Sequence, residues 1–146
     1  MARTPADNTP LSTEARRGLR LLKQKLKADY TALLACMRRP EVRDGAWRLL
    51  EPRPAWDGNP TWDRFVVFSW EGAGRRLLVA TNYGPTRGQC YVRPTDASVA
   101  GRTIVLHDLM DPATTYERAG DDLAARGLYV DLPAWGANVF EVTARP

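Results

Sequence analysis

A chain of 146 residues with 44% apolar content has material for one ordinary domain, or one domain with a helical extension, around a packed core. No stretch approaches the ~20 consecutive apolar residues of a membrane span, and two cysteines, Cys36 and Cys90, are too few for a cross-linked secreted scaffold, although one bridge stays open. The net charge of +4 is uneven: residues 1–54 carry 12 Lys/Arg against 6 Asp/Glu, whereas residues 55–146 carry 9 against 11.

Residues 1–11 hold Pro and Thr without periodicity and read as a frayed lead-in. They have no apolar run of the secretory kind, so cytoplasmic residence is the expectation. Ser12 suits a helix N-cap, and Glu14 in the first turn favours the helix dipole. From residue 13 to 37, Leu19, Leu22, Leu26, Tyr30, Leu33 and Met37 recur in steps of three and four, one stripe of an amphipathic helix. Arg38 and Arg39 fall in its expected last turn, and Pro40 is expected to stop it. Arg16, Arg20, Lys23 and Lys27 form a basic row beside the stripe. That row lacks aromatic interleaving and any recognition motif, so it reads as a solvated face and no nucleic-acid partner is expected.

After Pro40 the helical period disappears, and short runs alternate with Gly/Pro/Asn/Asp clusters. The runs at 45–50, 64–70, 77–82, 89–93, 102–108, 128–132 and 138–142 are expected strands, with a short one at 114–118. Turns fall at 51–60, 71–75, 83–88, 94–101, 111–113 and 120–126. The expected fold is mainly β: an antiparallel β-sandwich of about seven or eight strands preceded by one long amphipathic α-helix. The organisation is a lead-in over 1–11, the helix over 12–39 and the sandwich over 40–146. The stripe is wide for a helix that merely decorates a small sandwich. Either it packs on a sheet face, or it belongs against something larger; exposed, it would be an interaction site.

Two phrases give the chain a resemblance. Pro40-Glu-Val-Arg-Asp-Gly-Ala-Trp-Arg-Leu-Leu50, followed by Pro54-Ala-Trp-Asp-Gly-Asn-Pro-Thr-Trp-Asp-Arg-Phe-Val-Val-Phe-Ser-Trp70, is similar to the junction between the last barrel helix and the C-terminal domain of glycoside hydrolase family 13, the α-amylase family. Leu26-Lys-Ala-Asp-Tyr-Thr-Ala-Leu-Leu34 resembles the end of that helix. Gly127-Leu-Tyr-Val-Asp-Leu-Pro-Ala-Trp-Gly-Ala-Asn-Val-Phe140 resembles the closing hairpin, and Tyr83-Gly-Pro-Thr-Arg-Gly88 a turn of the same sandwich. The resemblance runs from about residue 12 to 143. It implies a role in carbohydrate metabolism, and a (β/α)₈ barrel as partner, on another chain if this one is truncated or split. The family's catalytic carboxylates sit on barrel strands, and a barrel needs roughly 250 residues, so none matches a position here and the chain alone is expected to be no enzyme.

The remaining residues are weighed on their own chemistry. A glycosidase needs two carboxylates about 5–9.5 Å apart; Asp121 and Asp122 fall in an expected turn, and Asp57 and Asp63 flank the Trp56–Trp62 segment, where they could line a sugar groove, although Asp57-Gly-Asn-Pro60 is first of all a turn. His107 is the single histidine, the cysteines have no CxxC spacing, and no cofactor or metal site is expected. Five tryptophans remain. Trp47 and Trp70 fall in strands and are expected in the core, while Trp56, Trp62 and Trp135 fall in loops, where their faces could stack on a sugar ring. The leading expectation is a non-catalytic C-terminal sandwich domain of an α-amylase-family protein, with Leu19, Leu22, Leu26, Tyr30 and Leu33 as its interface. The alternatives are a free-standing α-glucan-binding module using Trp56, Trp62 and Trp135, or an adaptor that works through helix 13–37.

Overall fold

The computed structural model describes residues 10–93 and 99–146. Expectations resting on residues 1–9, and on 94–98 within the 94–101 turn, lie outside the described residues.

Helix α1 spans Thr13–Met37, where the period placed it. Ser12 Oγ accepts the Ala15 N–H at 3.1 Å, closing the N-terminus. The other end differs from expectation. Arg38 is the C-cap rather than a last-turn residue, and Arg39 precedes a second short helix, α2, Pro40–Arg43. A proline at the first helical position gives up no intrahelical bond and its fixed φ suits the turn, so Pro40 starts a helix after ending one. Among the residues of α1 only Cys36 is buried.

Nine strands follow among the described residues: β1 (Ala46–Leu50), β2 (Pro52–Pro54), β3 (Phe65–Gly72), β4 (Arg75–Asn82), β5 (Gly88–Val92), β6 (Thr103–Asp108), β7 (Thr115–Ala119), β8 (Leu128–Leu132) and β9 (Ala137–Arg145). They form a six-stranded sheet, ordered β1-β3-β4-β9-β6-β7, and a three-stranded sheet, β2-β5-β8. Every pairing is antiparallel. The chain is thus a mainly-β sandwich behind one long helix, as the patterning indicated.

Two of the expected turns hold regular elements instead. β2 lies inside the 51–60 turn as an edge strand, the place where a sheet tolerates Pro52 and Pro54. Helix α3, Gly120–Ala125, replaces the 120–126 turn. Asp121 and Asp122 occupy its first turn, where the helix dipole favours carboxylates, and Asp121 Oδ1 also accepts the Gly101 N–H at 2.9 Å.

The core lies between the sheets. Leu50, Phe65, Val67, Leu78, Ala80, Ile104, Leu106 and Phe140 face Cys90, Val92, Leu128, Val130 and Leu132, with Leu123 of α3 in the same cluster. Strand alternation sends the intervening residues to the outer faces. Outside Val67, Phe68 and Trp70 lean toward solvent from β3, and Trp47 and Leu49 do so from β1.

Candidate functional site

Three surfaces carry residues that the core does not use. The first is α1 itself. Leu19, Leu22, Leu26, Tyr30 and Leu33 are all exposed, as are Leu21 and Met37. The sandwich leaves them uncovered: the buried residue of α1 is Cys36, close to the C-terminal corner where α1 packs against α2. The basic row is exposed beside the stripe, and Lys25 adds an ion pair with Asp29 one turn on, at 3.1 Å.

The second surface is the outer face of the six-stranded sheet. Trp47 pairs in register with Trp70 and Leu49 with Phe68, so the four side chains share one face. Phe68 stacks edge-on to Trp70 at 5.1 Å and lies 6.1 Å from Trp47. Trp47 is 54% exposed and Leu49 61%. This corrects the expectation that Trp47 and Trp70 are core residues: both sit in strands, but on the outward side, Trp70 half-buried. The signal was present in the sequence. The uninterrupted apolar run Phe65–Phe68 lacks the polar alternation of a strand with one wet face.

The corner between α1 and α2 closes the middle of that face. α2 packs on β3 and β4, and Gly72 accepts it closely: a Cβ there would lie 2.9 Å from Gly45 Cα and 3.3 Å from Glu41 Cα. Arg39 donates from Nε to Glu41 and from its second guanidinium nitrogen to Glu141 of β9, tying helix to sheet. Glu41 is wholly buried, and its Oε2 has no hydrogen-bond partner. Burial by itself would raise the Glu41 pKa, but the Arg39 hydrogen bond, the local backbone and the charges of Arg39 and Arg75 outweigh it and hold it below the usual carboxylate range.

The third surface is the loop end of the sandwich. Trp135 sits between β8 and β9 and is 62% exposed, with its ring edge-to-face against Tyr83, 72% exposed, at 5.6 Å and 85°. The other two loop tryptophans lie apart from this pair in kind. Trp56 is exposed in the 55–60 loop, while Trp62 falls in a single 3₁₀ turn, Thr61–Arg64, and packs half-buried against the core. Sequence reasoning missed Tyr83, because its role depends on a partner brought to it by the β4–β9 pairing.

Asp108 and His107 have structural partners. Asp108 is buried and accepts from Asn138 Nδ2 at 2.7 Å and from the Met110 N–H at 2.9 Å. His107 Nδ1 lies 3.1 Å from Thr115 Oγ1. Asp57 and Asp63 are exposed at the ends of the Trp56–Trp62 segment. Cys36 and Cys90 are both buried free thiols, so the open question of a bridge is answered in the negative, and burial pushes the Cys90 thiol up to about 12. Among the described residues no three His, Cys, Asp or Glu side chains cluster as a metal site would require. No helix among the described residues is long and apolar enough to cross a membrane.

No family model and no curated protein matches the sequence. Among solved structures, the chain is similar to the trehalulose synthase MutB from Pseudomonas mesoacidophila MX-45, at 17% identity and a TM-score of 0.46, over 78% of this chain and 17% of that one. A mutant of MutB in complex with the substrate sucrose is similar at 15% identity and a TM-score of 0.47, over the same shares. The match therefore spans 17% of the length of those solved chains.

Proposed function

We propose that this chain is a non-catalytic C-terminal module of an α-amylase-family protein, its last barrel helix and closing sandwich, and that it acts by docking on a (β/α)₈ barrel. The single observation that carries the reading is the apolar stripe of α1, exposed along the helix with only Cys36 buried. The outer face built from Trp47, Leu49, Phe68 and Trp70 is a second apolar surface of the chain, Trp47 and Leu49 exposed on it. Of the residues that resemble the family's helix-to-sandwich junction, 26–34 lie on α1, 40–43 form α2, and Trp47, Leu49, Phe68 and Trp70 lie on the outer face. The basic row on α1 suits a partner groove rimmed by carboxylates. Covering the exposed half of five such side chains contributes on the order of 5 kcal/mol before the cost of association. Two free buried thiols fit a reducing, cytoplasmic setting.

The test uses the double change Leu22→Lys with Leu26→Lys. Because both side chains are exposed, the variant should keep the parent's unfolding midpoint, within about 0.5 kcal/mol, while binding of an apolar-surface dye and self-association fall. Association with an α-amylase-type barrel supplied in trans should weaken in parallel. A cooperative loss of folding, from a parent that is monomeric and silent to the dye, would reject the docking reading.

The same reading expects the isolated chain to leave soluble starch, maltooligosaccharides and trehalose unturned. Turnover that survives repurification and disappears on Asp57→Asn or Asp63→Asn would overturn it.

A further inference from the structure

We propose that β7 is an interface strand: centred on Glu117, it pairs antiparallel with β7 of a second copy of this chain and joins two six-stranded sheets into one. β7 is the last strand of its sheet, with β6 as its neighbour, and all five of its residues, Thr115–Ala119, are exposed. The three-stranded sheet blocks its own edge at β2 with Pro52 and Pro54, which have no N–H to offer. β7 carries no proline. An open edge of this kind is a template for another strand.

The register of β7 on β6 fixes which groups face outward. Two bonds flank the pairing, Asp108 N–H to Thr114 O at 3.1 Å and Gly120 N–H to Arg102 O at 2.7 Å. Hydrogen-bonded positions alternate along an antiparallel ladder. Tyr116 and Arg118 therefore turn their backbone groups to β6, and Thr115, Glu117 and Ala119 turn theirs to the open side. The Arg118 side chain agrees with this direction: its guanidinium donates to Glu117 O at 2.8 Å, and that carbonyl keeps a second lone pair.

One register of self-pairing uses these groups best. With Glu117 opposite Glu117, the two exchange both N–H···O bonds, and each Ala119 N–H meets a Thr115 carbonyl of the other copy. A slip of one residue brings opposite faces together, and a slip of two leaves two of the five strand residues of each copy without a partner. Charge selects the same register. Tyr116 lies directly opposite Arg118 of the second copy, at a non-hydrogen-bonded pair where side chains approach closely. Within one chain the Arg118 guanidinium already lies 5.5 Å from the Tyr116 ring centroid, so two tyrosines and two arginines alternate across the seam as cation–π partners. The two Glu117 carboxylates meet on the other face, and each carries its own cation, Arg145, at 3.1 Å. A groove of about 140 Å³, lined in part by Tyr116, Arg118 and Tyr129, gives incoming side chains room. β1, with Trp47, lies at the opposite edge of the sheet, so this contact is independent of barrel docking.

The experiment places single cysteines on β7 of the full chain, Glu117→Cys and Thr115→Cys in separate variants, and oxidises each at micromolar protein. Both native thiols are buried. Cα atoms opposed in a hydrogen-bonded pair lie about 5.5 Å apart, within the span of a disulfide. Glu117→Cys should give a covalent dimer, roughly tenfold more than Thr115→Cys, whose two cysteines would sit four positions and about 14 Å apart along the strands. Sedimentation of the chain without added cysteine should show a concentration-dependent dimer, weakened roughly tenfold or more by Glu117→Pro. That proline removes an outward N–H and no bond to β6, so the unfolding midpoint should stay. Leu22→Lys with Leu26→Lys should leave this dimer intact, which separates it from association through α1. Equal cross-linking of the two cysteine variants, a chain still monomeric at millimolar concentration, or a dimer indifferent to Glu117→Pro would each overturn the interface.

Discussion

Replacing Arg39 with alanine should cost about 3–5 kcal/mol of folding stability, the penalty for removing one member of a buried ion pair. The guanidinium is the shared partner of Glu41 and Glu141, and Glu41 has no exposed surface through which water could substitute. Its Oε2 is already without a partner, so the loss of Arg39 leaves a buried carboxylate with little to offset its desolvation. On a chain of this size the change should lower the thermal midpoint by roughly 10 °C. Arg39→Lys keeps the charge but not the fork that spans two carboxylates, and should recover part of the loss. A midpoint for Arg39→Ala indistinguishable from the parent would show that the triad does not hold the helix to the sheet.

The same triad sets a pH dependence. The folded Glu41 pKa lies below its unfolded value, so the unfolded state binds more protons in acid. Its contribution is fully present above the usual carboxylate pKa, about 4.3, and is lost as pH falls through the depressed folded value. Chemical denaturation of the parent should therefore show stability declining below about pH 4.5, and Glu41→Gln should flatten part of that decline.

These features differ in how far the amino-acid order exposes them. The bounds of α1 and of β8 were legible because a 3.6-residue period in the helix, a two-residue alternation in the strand, and flanking Ser, Pro and Gly punctuate them locally. β2 and α3 were not, since three and six residues are too few to display any period, and the Gly-Asp-Asp opening of α3 is also a turn signature. Arg39 meets Glu141 across 102 residues, a contact that exists only once β9 lies beside β4. The stripe on α1 was visible, but its exposure was not: periodicity identifies an apolar face without naming what covers it. Trp47 was misread for the same reason, because a strand assignment fixes alternation and leaves open which side is wet.

Asn82→Ala should cost about 2–3 kcal/mol and should disorder the Tyr83–Trp135 pair without touching either ring. Asn82 is wholly buried at the end of β4, and its Nδ2 donates to Thr86 O at 2.8 Å, Leu132 O at 3.2 Å and Pro133 O at 3.0 Å. One amide therefore serves carbonyls from both loops that carry the aromatic pair. Alanine leaves those carbonyls short of a donor. It also relieves the unpartnered Oδ1, which keeps the cost below the sum of three lost bonds. Asn82→Leu separates hydrogen bonding from packing, because leucine fills the space and supplies no donor. If leucine restores stability and the parent's indole N–H chemical shift of Trp135, Asn82 acts by volume alone and the loops are held by something else. If leucine fails as alanine does, the amide is what keeps Trp135 turned toward solvent.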